Sequence, residues 1–131
     1  MHRKPGWQRL WTRLQQAAFQ ELDTVMKRLP ADLKHKARDI PVSLEPVPAK
    51  DLVADGLDPD ILGLYVGEAY SERVSGLENV PPQILLFLEN IWDYAGHDTA
   101  AYREEVRITY LHELGHYLGL DEDDLCRRDL D

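Results

Sequence analysis

His112-Glu113-Leu114-Gly115-His116 is the stretch that most limits what this chain can become. The pattern is H-E-x-x-H, and its spacing has a mechanical meaning. An α-helix turns every 3.6 residues, so positions four apart lie on nearly one face, one turn above the other. On a helix, His112 and His116 therefore aim two imidazole nitrogens at one point. Zinc accepts neutral histidine nitrogens and tends towards four ligands. Glu113 is one step round from His112 and three short of His116. It flanks the metal position without having to bind there, and from that place it can take a proton from an activated water. The pattern points to zinc chemistry carried on a helix.

Taken alone, the pentapeptide is moderately specific. Ordinary residue usage produces it by accident in on the order of one chain in several hundred. The bland alternative is a solvated helix face with two ordinary histidines. The flanks weigh against it. Val106, Ile108, Tyr110, Leu111, Leu114 and Leu118 surround the pair, which predicts a helix that is apolar on most sides and buried. Buried histidines need partners. Gly119 falls where a helix ends in a left-handed residue. Leu120 then leads into Asp121-Glu122-Asp123-Asp124, and carboxylates after a turn are what a third, oxygen ligand requires.

The longer string is H-E-x-x-H-x-x-G-x-x-E, ending on Glu122. It resembles the elongated zincin motif, in which the residue three after the glycine is the third ligand. In metzincins that residue is histidine and a methionine turn follows. Here it is glutamate, and the only methionines are Met1 and Met26, so an ordinary metzincin is ruled out. The chain is more similar to the small bacterial zincin-like metallopeptidases, minimal single-domain proteins. The resemblance covers about the last seventy residues. It rests on Gly63-Leu64-Tyr65, Ser71-Glu72-Arg73, the apolar strand before the last helix, and His112 to Leu125. Members often carry aspartate where this chain has Glu122. The resemblance implies a reduced zincin fold and one zinc ion per chain. His112, His116 and Glu122 would be its protein ligands, with Asp121 or Asp123 as alternatives to Glu122, and Glu113 would be the general base.

A chain of 131 residues is expected to form one domain, here 1–131. With 44% hydrophobic residues, three Trp and six Tyr, it has enough apolar material for a core. The net charge of −9 and a pI near 4.9 count against nucleic acid, because phosphate contacts need clustered Lys and Arg. Cys126 is the single cysteine, so no intramolecular disulfide forms. It falls four residues past Glu122 and reads as a bystander. The basic start His2-Arg3-Lys4 is not followed by an apolar stretch of signal-peptide length, and no run approaches membrane-spanning length. The expected location is the cytoplasm.

Taken in order, Trp7, Leu10, Trp11, Leu14, Ala18, Leu22, Val25 and Leu29 recur at helical spacing, which predicts an amphipathic helix over 5–29 that covers the core. Pro5 suits a first turn and Pro30 ends the run. A short helix is expected over 31–38, with His35 a surface residue among Lys34, Lys36 and Arg38. Ile40, Val42 and Leu44 alternate with polar or proline positions, as in a half-buried edge strand. Residues 46–59 carry three prolines and Gly56 and read mainly as loop. A strand interrupted by Gly63 is expected over 61–66, then a polar connection over 67–80. Gln83 to Leu88 suits a strand buried on both faces. Asn90 to Tyr94 reads as a helical turn. Asp98 or Thr99 caps the last helix, which spans 99–118 and leads to a ligand-bearing segment, 119–131. The expected fold is α+β: a small mixed sheet, within 40–88, packed on helices, with the H-E-x-x-H helix near the C-terminus.

Three functions compete on this reading. The first is a zinc-dependent peptidase acting on peptide or unfolded protein. The second is a zinc-binding regulatory or interaction module without turnover, motivated by how little chain is left to wall a substrate cleft. The third is a metal-dependent hydrolase of another substrate such as RNA, which the acidic charge disfavours. Tyr65, Arg73, His97 and Tyr117 are of the right type to stabilise an oxyanion, although His97, between Gly96 and Asp98, reads first as a loop or capping residue.

Overall fold

The computed structural model describes residues 5–67 and 81–120. They form α1 (Trp7–Arg28), α2 (Ala31–Ala37), β1 (Val42–Glu45), α3 (Lys50–Ala54), β2 (Gly63–Val66), β3 (Gln83–Phe87), α4 (Leu88–Tyr94) and α5 (Thr99–Leu118). Helices around a small sheet give the α+β class expected.

Among the described residues the sheet has the order β1-β3-β2. β1 runs parallel to β3 and β2 antiparallel to it, so the sheet is mixed. The apolar run Gln83–Phe87 takes the central place, where both edges of its backbone are paired. β1 lies at an edge, as its preceding proline requires: Pro41 donates nothing, and its carbonyl accepts from the Ile84 N–H at 3.0 Å. Ile84 stands opposite both Val42 and Tyr65, and Leu86 opposite both Leu44 and Gly63. With a side-chain period of two, these residues share one face. Ile84 and Leu86 have no exposed surface, so that face is the one packed on the core.

α5 lies under the sheet and α1 runs against α5. Asp98 starts α5, its carboxylate accepting from the Ala101 N–H at 2.8 Å. Tyr102, Val106, Tyr110, Leu114 and Tyr117 line its buried side. From α1, Leu14, Ala17, Ala18 and Val25 are buried, as the helical periodicity predicts. Two polar ties fix the pair. The Tyr102 hydroxyl donates to the Leu14 carbonyl at 2.7 Å. Glu21 receives Arg103 at 2.6 Å on one carboxylate oxygen and Arg107 at 2.5 Å on the other.

Three expectations are refined. The segment 46–59 contains the five-residue α3, which has neither a side-chain cap nor a buried residue and so leaves no periodic signal. β2 pairs from Gly63 onwards rather than from Ile61. The helical turn near Asn90 is a full helix that starts at Leu88, directly off β3. Of the polar connection 67–80, all but Gly67 lies outside the described residues. No helix among the described residues is long and apolar enough to cross a membrane.

Candidate metal centre

Packing on α5 decides which side chains face outward. The sheet, α1, α2 and α4 cover most of the helix, while Glu104, Ile108, His112 and His116, at four-residue spacing, form its exposed stripe. The expectation of a helix buried on most sides holds, since the buried residues leave only this stripe open, but the histidines themselves lie on the open stripe and not among the buried residues. Ile108 is 40% exposed, and both histidines face solvent. The other flanking apolar residues, Val106, Tyr110, Leu111, Leu114 and Leu118, do belong to the core or pack against it, and lie on other stripes of the helix.

The histidines meet as the i, i+4 spacing requires. Their Nε2 atoms are 3.3 Å apart and their rings are nearly perpendicular, at 77°. Two nitrogens held about 2.05 Å from zinc at tetrahedral angles are separated by about 3.3–3.4 Å. The donor spacing thus fits a zinc ion without movement of the backbone. Glu113 belongs to the same group: one ligand atom from each of His112, Glu113 and His116 lies within 4.8 Å of the others.

Glu113 sits on the neighbouring stripe of α5, with Thr109 one turn before it and Tyr117 one turn after. β2 crosses this stripe closely. A methyl group added at Gly63 would lie 2.7 Å from Thr109 Cγ2 and 3.2 Å from Glu113 Cγ. Two residues on, the Tyr65 ring tilts against the Tyr117 ring with centroids 6.0 Å apart. Glu113 therefore stands between the exposed histidines and the strand. Asn90 anchors the approach to that strand, its side-chain amide donating to the carbonyls of Pro59 at 2.8 Å and Ile61 at 2.9 Å. The sequence gives no motif for Asn90, because its partners lie about thirty residues away.

α5 ends as expected. Gly119 is left-handed, with φ 71°. The Leu120 N–H reaches back to the Gly115 carbonyl at 2.8 Å, and the Gly119 N–H to His116 at 3.3 Å. This paired closure satisfies the last carbonyls and turns the chain away from the helix axis. Asp121, Glu122, Asp123 and Cys126 lie outside the described residues.

The oxyanion candidates separate. Tyr117 is 1% exposed and Tyr65 is half-buried against it. His97 precedes the first turn of α5. At a rise of about 1.5 Å per residue the helix places it on the order of 20 Å from His112. It is a turn residue with φ 62°, bonded to Asp93 at 2.8 Å and stacked on Trp92, and has no part in this site. Arg73 lies outside the described residues, and His35 is an exposed residue of α2, as expected.

A family model described as zincin-like metallopeptidase matches residues 37–130. The match includes the sheet, α5 and the His112–Glu113–His116 group, and leaves out α1. Among curated proteins, none matches the chain. The chain belongs to the zincin-like metallopeptidase family, and that membership implies a metal at the histidine pair.

Proposed function

We propose that this member of the family is a zinc-dependent peptidase in which His112 and His116 hold the metal, Glu122 is the third protein ligand and Glu113 is the general base. Asp121 and Asp123 are the alternatives to Glu122, since all three follow Gly119 within four residues in the sequence. The observation that carries the reading is the pair of Nε2 atoms one tetrahedral edge apart, with the Glu113 carboxylate beside them. Two histidines and one carboxylate leave a fourth position open, the pattern of a catalytic rather than a closed site. Zinc, when bound, supplies Lewis acidity that polarises a scissile carbonyl and makes water nucleophilic near neutral pH.

The remaining work falls to the chain's own residues. Glu113 accepts the proton of the attacking water and delivers it to the leaving amine. Its position beside β2 suits an extended substrate, since a peptide laid along a strand brings its backbone past Glu113 with little cleft wall. That favours flexible or unfolded segments over folded proteins. Ile108, exposed one turn before His112, offers an apolar contact on the same open face.

Two measurements test the proposal. Metal analysis of the purified protein should find about one zinc per chain, and His112→Ala should lose most of it. Unchanged zinc content and affinity in that variant would remove the site. Cleavage of a broad peptide library should fall by about 10²–10⁴-fold in Glu113→Gln, while zinc content stays as in the wild type. Equal cleavage by both proteins, or none by zinc-loaded wild type, would refute the peptidase assignment. The second result would favour a zinc-binding module without turnover.

A further inference from the structure

A second feature lies at the other end of α5, apart from the histidines. A cleft with a cavity volume of about 190 Å³ opens to solvent between α1, the first turns of α5 and Trp92 of α4. Its α1 wall falls outside the 37–130 match, so the cleft is not accounted for by the family likeness.

The lining is divided by chemistry. Leu14, Ala17 and the Trp92 ring form an apolar side. Trp92 is held there by His97 stacked at 5.0 Å and Tyr102 set edge-on at 5.7 Å, so it presents a fixed wall. Arg13, Gln20 and Arg103 form the polar side. In a chain of net charge −9, no carboxylate among the described residues lines this cleft. The two arginines differ in state. Arg103 is engaged, donating to Glu21 at 2.6 Å and to Gln20 at 2.7 Å. Arg13 is exposed and has no ion pair or side-chain hydrogen bond among the described residues.

One uncompensated cation beside an apolar wall matches a single negative charge carried on a flat apolar body. A dianion fits less well, because Glu21 already answers the charge of Arg103. Size narrows the class further. An apolar cavity of about 150 Å³ accommodates benzene, so about 190 Å³ admits one ring with a short acid arm. We infer that this cleft binds a small aromatic monocarboxylate, its ring against Trp92 and its carboxylate on Arg13. Aromatic rings meet favourably in offset or edge-on contact, and a guanidinium pairs with a carboxylate through two parallel hydrogen bonds.

The test uses the full chain and 3-phenylpropanoate, followed by NMR through the indole N–H of Trp92, identified by its loss in Trp92→Phe. A ligand of this size is expected to saturate with a Kd on the order of 1 mM. The neutral 3-phenylpropanamide and inorganic phosphate should bind at least about tenfold more weakly, and so should the acid to Arg13→Gln. Arg13 is exposed, so that variant keeps the fold, which an unchanged thermal midpoint confirms. Equal binding of the amide, tighter binding of phosphate, undiminished binding to Arg13→Gln, or no response at Trp92 would each overturn the inference. None of these readouts depends on the metal or on peptide cleavage.

Discussion

At Gly63 the strand and the helix approach as closely as a backbone without a side chain permits. The residue has no positive φ, so alanine would suit its backbone; what is missing is space, since the added methyl would lie 2.7 Å from Thr109 Cγ2 and 3.2 Å from Glu113 Cγ. β2 is held by β3 on one side and by Asn90 at its start, so the strain falls on the strand–helix gap beside Glu113. Overpacking of this kind costs about 1–3 kcal/mol. A misplacement of about 1 Å near reacting groups can cost on the order of 10²-fold in rate. Gly63→Ala is therefore expected to lower kcat/KM by about 10–100-fold with zinc content unchanged. Thr109→Ser removes the Cγ2 methyl and should restore much of that loss in the double variant. A Gly63→Ala protein with wild-type kinetics would show that the gap has no part in positioning Glu113. The contrast with the histidines explains what was legible. His112, Glu113 and His116 are set by helical period alone, so a local pattern reveals them. Gly63 and Asn90 act on residues far along the chain, and no spacing rule reaches that far.

Among the elements, α1 and α5 make the association on which the metal-centre helix rests. The helical period of α1 and the cap at Asp98 are local and readable. The sheet order is not, because parallel pairing of β1 with β3 joins segments about forty residues apart. Nor does apolar periodicity reveal Glu21, a charge placed within the buried stripe of α1. Burial alone would push the Glu21 carboxyl up, but the hydrogen bonds and charges of Arg103 and Arg107 outweigh it and hold it below its ordinary value. A carboxylate lowered in the folded state contributes stability above its unfolded value, about 4.3, and loses it as pH falls further. The two arginines are about a third exposed, so the pairing lies between surface and buried limits. Glu21→Gln should cost about 1–2 kcal/mol at neutral pH. It should also flatten the fall in stability on acidification below about pH 5. Urea unfolding of both proteins at neutral and acid pH measures this. An unchanged neutral midpoint would mean that the charge of Glu21 has no part in docking α1.

For the molecule as a whole, the titration of Tyr102 and Tyr110 reports on the core as a unit. Tyr102 is 1% exposed and Tyr110 2%, and they face the same packed interior two turns apart on α5. Burial pushes the Tyr110 phenol up to about 12 and raises that of Tyr102 further still, despite the opposing charge of Arg103. In the unfolded chain both ionise near pH 10. Their folded values lie above that, so their contribution is fully present below about pH 10 and is lost as pH rises through the folded values. Over that window each costs up to about 1.4 kcal/mol of stability per pH unit. The unfolding free energy should thus stay nearly level from neutral pH to about pH 9.5 and then drop steeply. The phenolate absorbance of Tyr102 and Tyr110 should rise only with unfolding. Tyr102→Phe separates the two contributions of that residue. At neutral pH it loses the hydrogen bond to the Leu14 carbonyl, about 1 kcal/mol, and at high pH it shows a shallower alkaline slope than the wild type. If all six tyrosines ionised together near pH 10 with the fold intact, the tight packing of α5 against α1 and the sheet would be wrong.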